Sequence, residues 1–406
     1  MKSAKRIKIA VAGVLLQVAL GAIYAWSVFK APLAQTFHWS VSQVTLTFTI
    51  AIFTLGISAF LGGLWLKRST PRRVAMTGAI LYGIGLFLSS FSNLGIGWLY
   101  LCFGLIGGGG LGLAYIVPIS VIVRWFPDRM GLMSGVAVGG FGVGALIMAP
   151  VATKLIANVG VLSTFAIVGV ILLIVATASA YFMENPPASS LSNTGTQIMQ
   201  AAPGDNDFTL AGAVTTWQFW VLWLLLFLNS SAGIAIISQE VPVFQELGKA
   251  SVALAASMVG IVSIGNALGR SAWAYVSDHI GRKLTFLVIF LIQAILFWFL
   301  PSFSTATMIT VLIFIILMCY GGGFGTMPSF VADYFGRTNV GAIYGLMLTA
   351  WGCASAFGPL LIAHLREVSG TYNGGLRILA LIMGGSILLP LVLKAPVRSK
   401  TSTIKV

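Results

Sequence analysis

Arg270 is the side chain whose chemistry fits its surroundings worst. It lies inside an apolar run from about Val252 to Tyr275 that is long enough to cross a lipid bilayer. A guanidinium cannot shed its charge, and placing one in hydrocarbon costs roughly 2.5 kcal/mol or more. We therefore expect Arg270 to face a partner or a water-filled cavity. A planar guanidinium in such a place is suited to bind a carboxylate through two parallel hydrogen bonds.

A polar stripe accompanies Arg270 on its helix. Ser263, Asn266 and Arg270 follow helical spacing on an otherwise apolar segment, and Asn266 could either hydrogen-bond a ligand or hold Arg270 in place. The alternative for Arg270 is to snorkel to the nearer helix end, which Asp278 marks. That end is about 12 Å away at the helical rise, which is long for snorkelling. We favour binding of a small carboxylate that crosses the membrane.

The composition places most of the chain in lipid. Of 406 residues, 58% are hydrophobic and 8% are charged, whereas globular proteins average about a quarter charged. The net charge of +14 comes from short basic clusters between apolar runs, so nucleic acid is not an expected partner. The cysteines and histidines lack metal-ligand spacing, and no paired acids or activated nucleophile stand out. We expect no enzyme activity, metal or cofactor.

The apolar segments predict an all-α membrane protein with twelve transmembrane helices. A polar Pro/Ser/Asn-rich stretch divides the chain into an N-terminal six-helix bundle (1–184), a linker (185–216) and a C-terminal six-helix bundle (217–406). The predicted spans lie near 7–29, 43–66, 73–91, 97–123, 131–156, 161–183, 217–240, 252–276, 284–302, 306–332, 339–364 and 374–394.

The basic residues predict the orientation. Most lie in loops on one side of the predicted membrane, and positive residues mark the cytoplasm. We therefore expect a multi-pass protein of the cell membrane, with both termini and the linker in the cytoplasm. We also expect it to function as a monomer. The other side receives only Lys30, Lys154, Lys249, Arg366 and Arg377.

The two halves repeat at an offset near 210 residues. Arg72 and Arg73 match Arg282 and Lys283, and a glycine-rich run precedes the end of the fourth and of the tenth predicted helix. Two similar bundles imply a pseudo-two-fold axis along the membrane normal, with a substrate path between them near the midplane. This arrangement is the physical basis of alternating access.

Short motifs resemble the major facilitator superfamily along nearly the whole chain. The segment Val276–Lys283 is similar to the cytoplasmic signature of that superfamily. The matching segment Leu66–Arg73 lacks the acidic residue of the signature, which leaves the usual charge latch of the N-terminal half without its acid.

Three further segments resemble the oxalate/formate antiporter family, whose relatives include the monocarboxylate transporters. They are Tyr24–Ser27, Arg124–Gly131 and Trp217–Trp220. The resemblance implies transport of small carboxylates, with the arginine of the eighth helix, here Arg270, binding the carboxylate.

Two departures from those relatives bear on the substrate. The oxalate carrier places a lysine on helix 11 where this chain has Trp351, and proton-coupled animal relatives carry an aspartate where this chain has Asn266. Because one fixed cation balances one carboxylate, we favour a monocarboxylate such as lactate, pyruvate or formate. Oxalate-type exchange and a carboxylate receptor without transport stay as alternatives. A proton is an expected second partner, and the group that carries it stays open.

Aromatic residues are the other candidates for the binding site. Tyr24, which shares a helix face with Val28, could donate its hydroxyl to a carboxylate, although a lipid-interface position is its alternative. Tyr115 follows a glycine run, and the resemblance places it at a position facing the cavity. An apolar wall for the substrate, with simple helix packing as the alternative, would consist of Tyr320, Phe324 and Trp351.

Charged residues near the helix ends are candidates for gating or coupling. Lys30 and Glu240 correspond under the 210-residue offset, and they form either an external ion pair or, as we favour, a solvated rim. A cytoplasmic latch is predicted from Asp278, Arg282, Asp333 and Arg337.

Overall fold

The computed structural model describes residues 2–66, 68–126, 130–186, 208–336 and 339–396. Within these ranges the chain is helical, with short helices such as Leu210–Val214 and Glu240–Glu246 beside twelve long ones. The long helices are α1 (Lys2–Gly21, the 3₁₀ turn Ala22–Ala25 and Trp26–Phe37), α2 (Val41–Trp65), α3 (Pro71–Leu88), α4 (Ile96–Leu99, the π-helical stretch Tyr100–Gly107 and Gly108–Trp125), α5 (130–159), α6 (161–181), α7 (Trp217–Ile237), α8 (Val252–Ile280), α9 (Arg282–Phe299), α10 (Ala306–Phe335), α11 (Val340–Met347 and Thr349–Ser369) and α12 (Asn373–Ser386 and Leu389–Val392).

The predicted twelve spans are confirmed. Eleven helical segments of the described chain are long and apolar enough to cross a membrane, and one of them, Gly135–Tyr181, has 47 residues. Since about 20 residues suffice for one crossing, that segment is long enough for two. Gly160 breaks it at φ 80° and ψ 166°, a conformation that glycine adopts without a Cβ clash, and so separates α5 from α6.

Local sequence sets several helix ends. The Ser40 side chain accepts from the Gln43 amide while Gln43 bonds back to Ser40, a capping box that starts α2. Ser251 caps α8 by accepting from the Leu254 amide. Gly281, at φ 87°, ends α8 and allows α9 to begin at the next residue.

Several predicted helix ends differ from the structure, and those of α1 and α7 lie beside the charged residues Lys30 and Glu240. The basic residue Lys30 predicts an end of α1 near residue 29, but Lys30 is buried and the helix continues to Phe37. Helix α7 was expected to reach residue 240 but ends at Ile237, and Gln239, at φ −124°, breaks the helix before the short segment Glu240–Glu246.

Glycines bring α8 and α10 into backbone contact. A Cβ on Gly321 would overlap the backbone oxygen of Asn266, and one on Gly325 would overlap the backbone oxygen of Arg270. Small residues at a membrane helix interface allow this approach, where van der Waals packing replaces the hydrophobic effect. The glycine run of α10 therefore fixes the height at which Arg270 lies.

Helices from the two halves pack directly on each other. Between α2 and α11, the Thr49 hydroxyl donates to the Ser355 backbone oxygen at 2.8 Å, and the Ser355 hydroxyl donates to the Thr49 backbone oxygen at 2.9 Å. Helix α5 meets α8 where Gly142 lies against Ala267. Two six-helix halves thus enclose the middle of the bundle, as predicted.

We call the end of the bundle that carries Arg72 and Arg282 the basic end, and the end that carries Lys30 and Arg366 the opposite end. At the opposite end, Glu367 of α11 accepts from the Ser42 amide at 2.8 Å and the Ser42 hydroxyl at 2.7 Å. These hydrogen bonds therefore join the two halves at the opposite end of the bundle.

Candidate anion-binding site

Arg270 lies between the two halves of the bundle. Its side chain is 0% exposed, and it contacts Tyr115 of α4 in the first half and Phe324 of α10 in the second. The snorkelling alternative is therefore wrong, because the guanidinium reaches neither lipid nor an end of the helix. Close packing of Gly269 on Met318 holds α8 so that Arg270 faces the centre.

The Arg270 guanidinium has weak polar partners. Its Nη1 donates to the Tyr115 hydroxyl at 3.4 Å and its Nε donates to the Asn266 side-chain oxygen at 3.5 Å, both longer than a typical N–H···O bond. Within the described residues, Nη2 makes no hydrogen bond, and no Asp or Glu forms an ion pair with Arg270. A buried cation with this little compensation is poised to accept an anion.

Aromatic rings replace the missing counter-charge in part. The guanidinium carbon lies 5.1 Å from the ring centre of Phe324 and 5.8 Å from that of Phe141. Such cation–π contacts stabilise a desolvated cation by about 2 kcal/mol or more, whereas burial of an ion costs several kcal/mol.

The three aromatic residues predicted to form an apolar wall contact one another in the structure, and their role toward a substrate stays a prediction. Phe324 lies 5.1 Å from Trp351 and 5.2 Å from Tyr320 between ring centres, so α10 and α11 present one apolar surface to Arg270. Helix α7 supports this wall, because Asn229 donates to the Tyr320 backbone oxygen at 3.0 Å and Gly233 leaves room for the Tyr320 ring.

Sequence reasoning missed Phe141 of α5. Its ring centre lies 5.0 Å from Tyr24, 5.1 Å from Tyr115 and 5.8 Å from Trp351, so it joins residues of both halves. The available signal was its isolation: Phe141 is the only aromatic residue in the small-residue run from 131 to 144. We call Tyr24, Tyr115, Phe141, Tyr320, Phe324 and Trp351 the Arg270 cage.

Tyr24 bonds across the cage to the other half. Its hydroxyl lies 2.6 Å from the Tyr320 hydroxyl, and the residue is 2% exposed, so the lipid-interface alternative is wrong. The 3₁₀ turn at Ala22–Ala25 changes the helical register after Tyr24. Val28 is buried beyond that turn, and its predicted place beside the ligand stays a prediction.

The cage can bind a small amphipathic anion. It combines one permanent cation, three phenolic hydroxyls that can donate to carboxylate oxygens, and apolar rings for a short hydrocarbon tail. Within the described residues no group of three or more His, Cys, Asp or Glu side chains could hold a metal ion.

At the opposite end, the solvated rim expected of Lys30 and Glu240 is wrong. Lys30 is 3% exposed and Glu240 is 2% exposed. They form no ion pair; Lys30 instead donates to the side-chain oxygen of Gln239, which also accepts from the Tyr372 hydroxyl at 2.9 Å. Burial raises the pKa of Tyr372, which keeps that hydroxyl protonated as a donor.

A chamber of about 270 Å³ lies at this end, next to the contacts of Lys30. Both halves line it, and it includes an ion pair of 2.7 Å between Arg366 and Glu246. Its lining residues are Lys30, Ala31, Ala34, Val41, Pro242, Gln245, Glu246, Arg366, Glu367 and Tyr372.

At the basic end, three of the four predicted latch residues meet. Arg282 lies 2.6 Å from Asp278 and 3.0 Å from Asp333, which ties α8, α9 and α10 together. Arg337 lies outside the described residues. In the first half, the acid missing from the loop is supplied by Glu184, after α6, which lies 2.6 Å from Lys5 and 3.6 Å from Arg72.

Comparison with known proteins agrees with this architecture. The chain is 31% identical to the uncharacterized MFS-type transporter YhjX of Escherichia coli K12, over 84% of each chain. It is 28% identical to the oxalate:formate antiporter of Oxalobacter formigenes, over 83% of this chain and 79% of that protein. It is 23% identical to monocarboxylate transporter 13 of the rat, over 91% and 85%. The sequence profile of the Major Facilitator Superfamily matches residues 11–359 and 245–404. The resemblance expected from the motifs is confirmed, and the chain belongs to the Major Facilitator Superfamily.

Proposed function

We propose that this protein is a secondary transporter of small monocarboxylates, of the lactate, pyruvate and formate class, that works by alternating access with proton coupling. One observation carries the proposal: Arg270, a cation without an acidic partner among the described residues, is buried between the two halves inside a cage of aromatic rings. The relatives of this chain include proteins named as an oxalate:formate antiporter and as monocarboxylate transporters, which supports a carboxylate substrate.

The charge in the cage favours one carboxylate over two. Arg270 supplies the positive charge of the site, since every residue of the cage is an uncharged aromatic and Asn266 beside Arg270 is neutral. A dicarboxylate would bury a second negative charge that nothing in the cage neutralises, at a cost of several kcal/mol. Oxalate is therefore the less favoured substrate.

Neutralising Arg270 drives the transport cycle. A bound carboxylate accepts from the guanidinium and from the hydroxyls of Tyr115 and Tyr24, while Tyr24 gives up its bond to Tyr320. The loaded site then buries less net charge, so the two halves close around it more readily than around an empty site. We assign the basic end to the cytoplasm and propose that Asp278, Arg282 and Asp333, with Arg337, latch that end in one state of the cycle.

Uptake into proteoliposomes tests the proposal. Radiolabelled lactate, pyruvate, formate and oxalate are offered separately, with and without a pH gradient. We expect saturable uptake of at least one monocarboxylate, with weak competition by oxalate. Uptake of oxalate alone would favour dicarboxylate exchange, and ligand binding in detergent without any flux would favour a receptor.

The Tyr115→Phe variant tests the cage hydroxyls. It removes the hydroxyl that contacts Arg270 and leaves the ring packed on Phe141 and Trp351. A hydrogen bond to a charged group contributes about 1.5–3 kcal/mol, so we expect KM to rise about tenfold or more. Tyr100→Phe on the same helix is the matched control, because that hydroxyl bonds to Gln43 far from the cage. An unchanged KM in Tyr115→Phe would show that the Tyr115 hydroxyl does not bind the substrate.

A further inference from the structure

Glu240 is a buried acid without a counter-charge. It is 2% exposed at the start of the short helix Glu240–Glu246, and no Lys, Arg or His of the described residues forms an ion pair with it. An unpaired carboxylate costs several kcal/mol when it leaves water, so a buried acid of this kind binds a proton instead.

The elements packed against the short helix supply no free cation. It packs on α8, on α10 and on the Trp26–Phe37 segment of α1. Residues 252–269 of α8 and 306–318 of α10 carry no ionisable side chain. In the α1 segment the only ionisable side chain is Lys30, and it is engaged by Gln239.

The other charged groups that line the chamber are engaged elsewhere, and Lys249, which follows the short helix, is exposed. Arg366 is held by Glu246 at 2.7 Å, and Glu367 accepts from Ser42. Tyr372 donates its hydroxyl to Gln239 and its amide to Glu246. Closure of this end therefore leaves the carboxyl of Glu240 to be neutralised by a proton.

The residue next to Glu240 closes the opposite end. The Gln239 side-chain oxygen accepts from Lys30, and its side-chain Nε2 donates to the Thr45 hydroxyl at 3.5 Å. Lys30 and Thr45 both belong to the first half. Opening this end has to separate them from Gln239. Pro242 and Gln245 of the same short helix line the 270 Å³ chamber, so the water that enters on opening lies beside the helix that Glu240 begins.

We propose that the carboxyl group of Glu240 is the proton-binding group of this transporter: it takes up one proton from the water at the opposite end as that end closes, and releases it to the water that enters from the basic end when the basic end opens. The proposal rests on the proposed function as a carboxylate transporter. One proton on Glu240 and one carboxylate on Arg270 then cross together, and a pH gradient drives accumulation of the anion. Since Asn266 beside Arg270 is neutral, coupling passes through closure of the two halves rather than through direct contact between the two groups.

The Glu240→Gln variant in proteoliposomes tests this with two transport readouts. Counterflow measures exchange of labelled for unlabelled monocarboxylate without a gradient, and net uptake measures accumulation driven by a pH gradient. We expect Glu240→Gln to retain counterflow while its gradient-driven accumulation falls to the level measured without a gradient. Glu246→Gln is the matched control on the same helix, because its carboxylate is already paired with Arg366; we expect it to keep the response to the gradient.

Three results would overturn the proposal or its basis. Gradient-driven accumulation in Glu240→Gln equal to that of the unaltered protein excludes Glu240 as the proton-binding group. Counterflow without any response to pH in the unaltered protein excludes proton coupling but leaves the carrier intact. Absence of counterflow for every monocarboxylate in the unaltered protein contradicts the proposed function itself.

A labelling experiment keeps the test decisive if Glu240→Gln fails to fold. Hydrophobic carbodiimides react with protonated carboxyl groups in apolar surroundings, and mass spectrometry locates the adduct. In the unaltered protein in detergent at neutral pH, we expect modification of Glu240 and little of Glu246. Modification of Glu246 in preference to Glu240 would show that Glu240 is not a protonated buried acid.

Discussion

Replacement of Arg270 by alanine should abolish measurable carboxylate uptake, and replacement by lysine should be nearly as damaging. Removing one partner of a buried, hydrogen-bonded charge pair costs about 2–5 kcal/mol, or a loss of about 30-fold to several thousand-fold in affinity. Lysine keeps a charge but loses the planar fork that holds two carboxylate oxygens, and its ammonium loses its proton readily when buried. Concentration-dependent uptake into proteoliposomes measures both effects.

Arg377→Ala provides the control for this experiment. Arg377 is an exposed arginine of α12 whose guanidinium carbon lies 5.8 Å from the Trp298 ring centre of α9, and no cage residue belongs to α9 or α12. We expect its uptake to match that of the unaltered protein. Full transport of every carboxylate by a folded Arg270→Ala variant would mean that Arg270 has only a structural role, and the proposed function would lose its binding group.

The Gly325→Ala variant should lose transport although it leaves every polar group in place. A Cβ at position 325 would overlap the backbone oxygen of Arg270, and backbone cannot move aside as a flexible side chain can. Overpacking of this kind costs about 1–3 kcal/mol in stability, and a displacement of about 1 Å at a site can cost about 100-fold in rate. We expect a lower melting temperature in detergent together with a loss of uptake.

Gly384→Ala is the matched control for Gly325→Ala. Gly384 lies in α12, and a Cβ there would meet nothing within 4 Å. The added methyl group should leave both the melting temperature and uptake close to those of the unaltered protein. Normal uptake by Gly325→Ala would show that α8 and α10 can separate at no cost, and that their contact does not position Arg270.

We propose that the hydroxyl pair between Tyr24 and Tyr320 couples substrate binding to movement of the two halves. It is a direct hydrogen bond between α1 of the first half and α10 of the second, made at the level of the cage. A carboxylate that takes the Tyr24 hydroxyl removes this cross-link and replaces it with a bond through the substrate. We therefore expect the substrate to become part of the contact that holds the two halves together.

Lys30 and Glu240, which were predicted to gate the opposite end, show that a shift of one residue in helical register changes which side chains meet. The 210-residue offset paired Lys30 with Glu240, whereas Lys30 bonds to Gln239. Successive residues of a helix point about 100° apart, so a break in the helix at Gln239 is enough to exchange one neighbour for the next. The internal repeat locates such positions to within a helix turn but does not choose the side chain that makes the contact.

The sequence alone determined the membrane architecture and its central cation. Span number follows from the length of apolar runs, and Arg270 stands out because a charge in such a run is costly wherever the chain folds. Only the tertiary structure decided what surrounds Arg270. Tyr24, Phe141 and Trp351 come from α1, α5 and α11, far apart along the chain, and glycine contacts between helices set their depth and rotation. A membrane helix has no hydrophobic face to aim at the centre, since lipid and core are equally apolar, so its rotation is set by packing that no single segment contains.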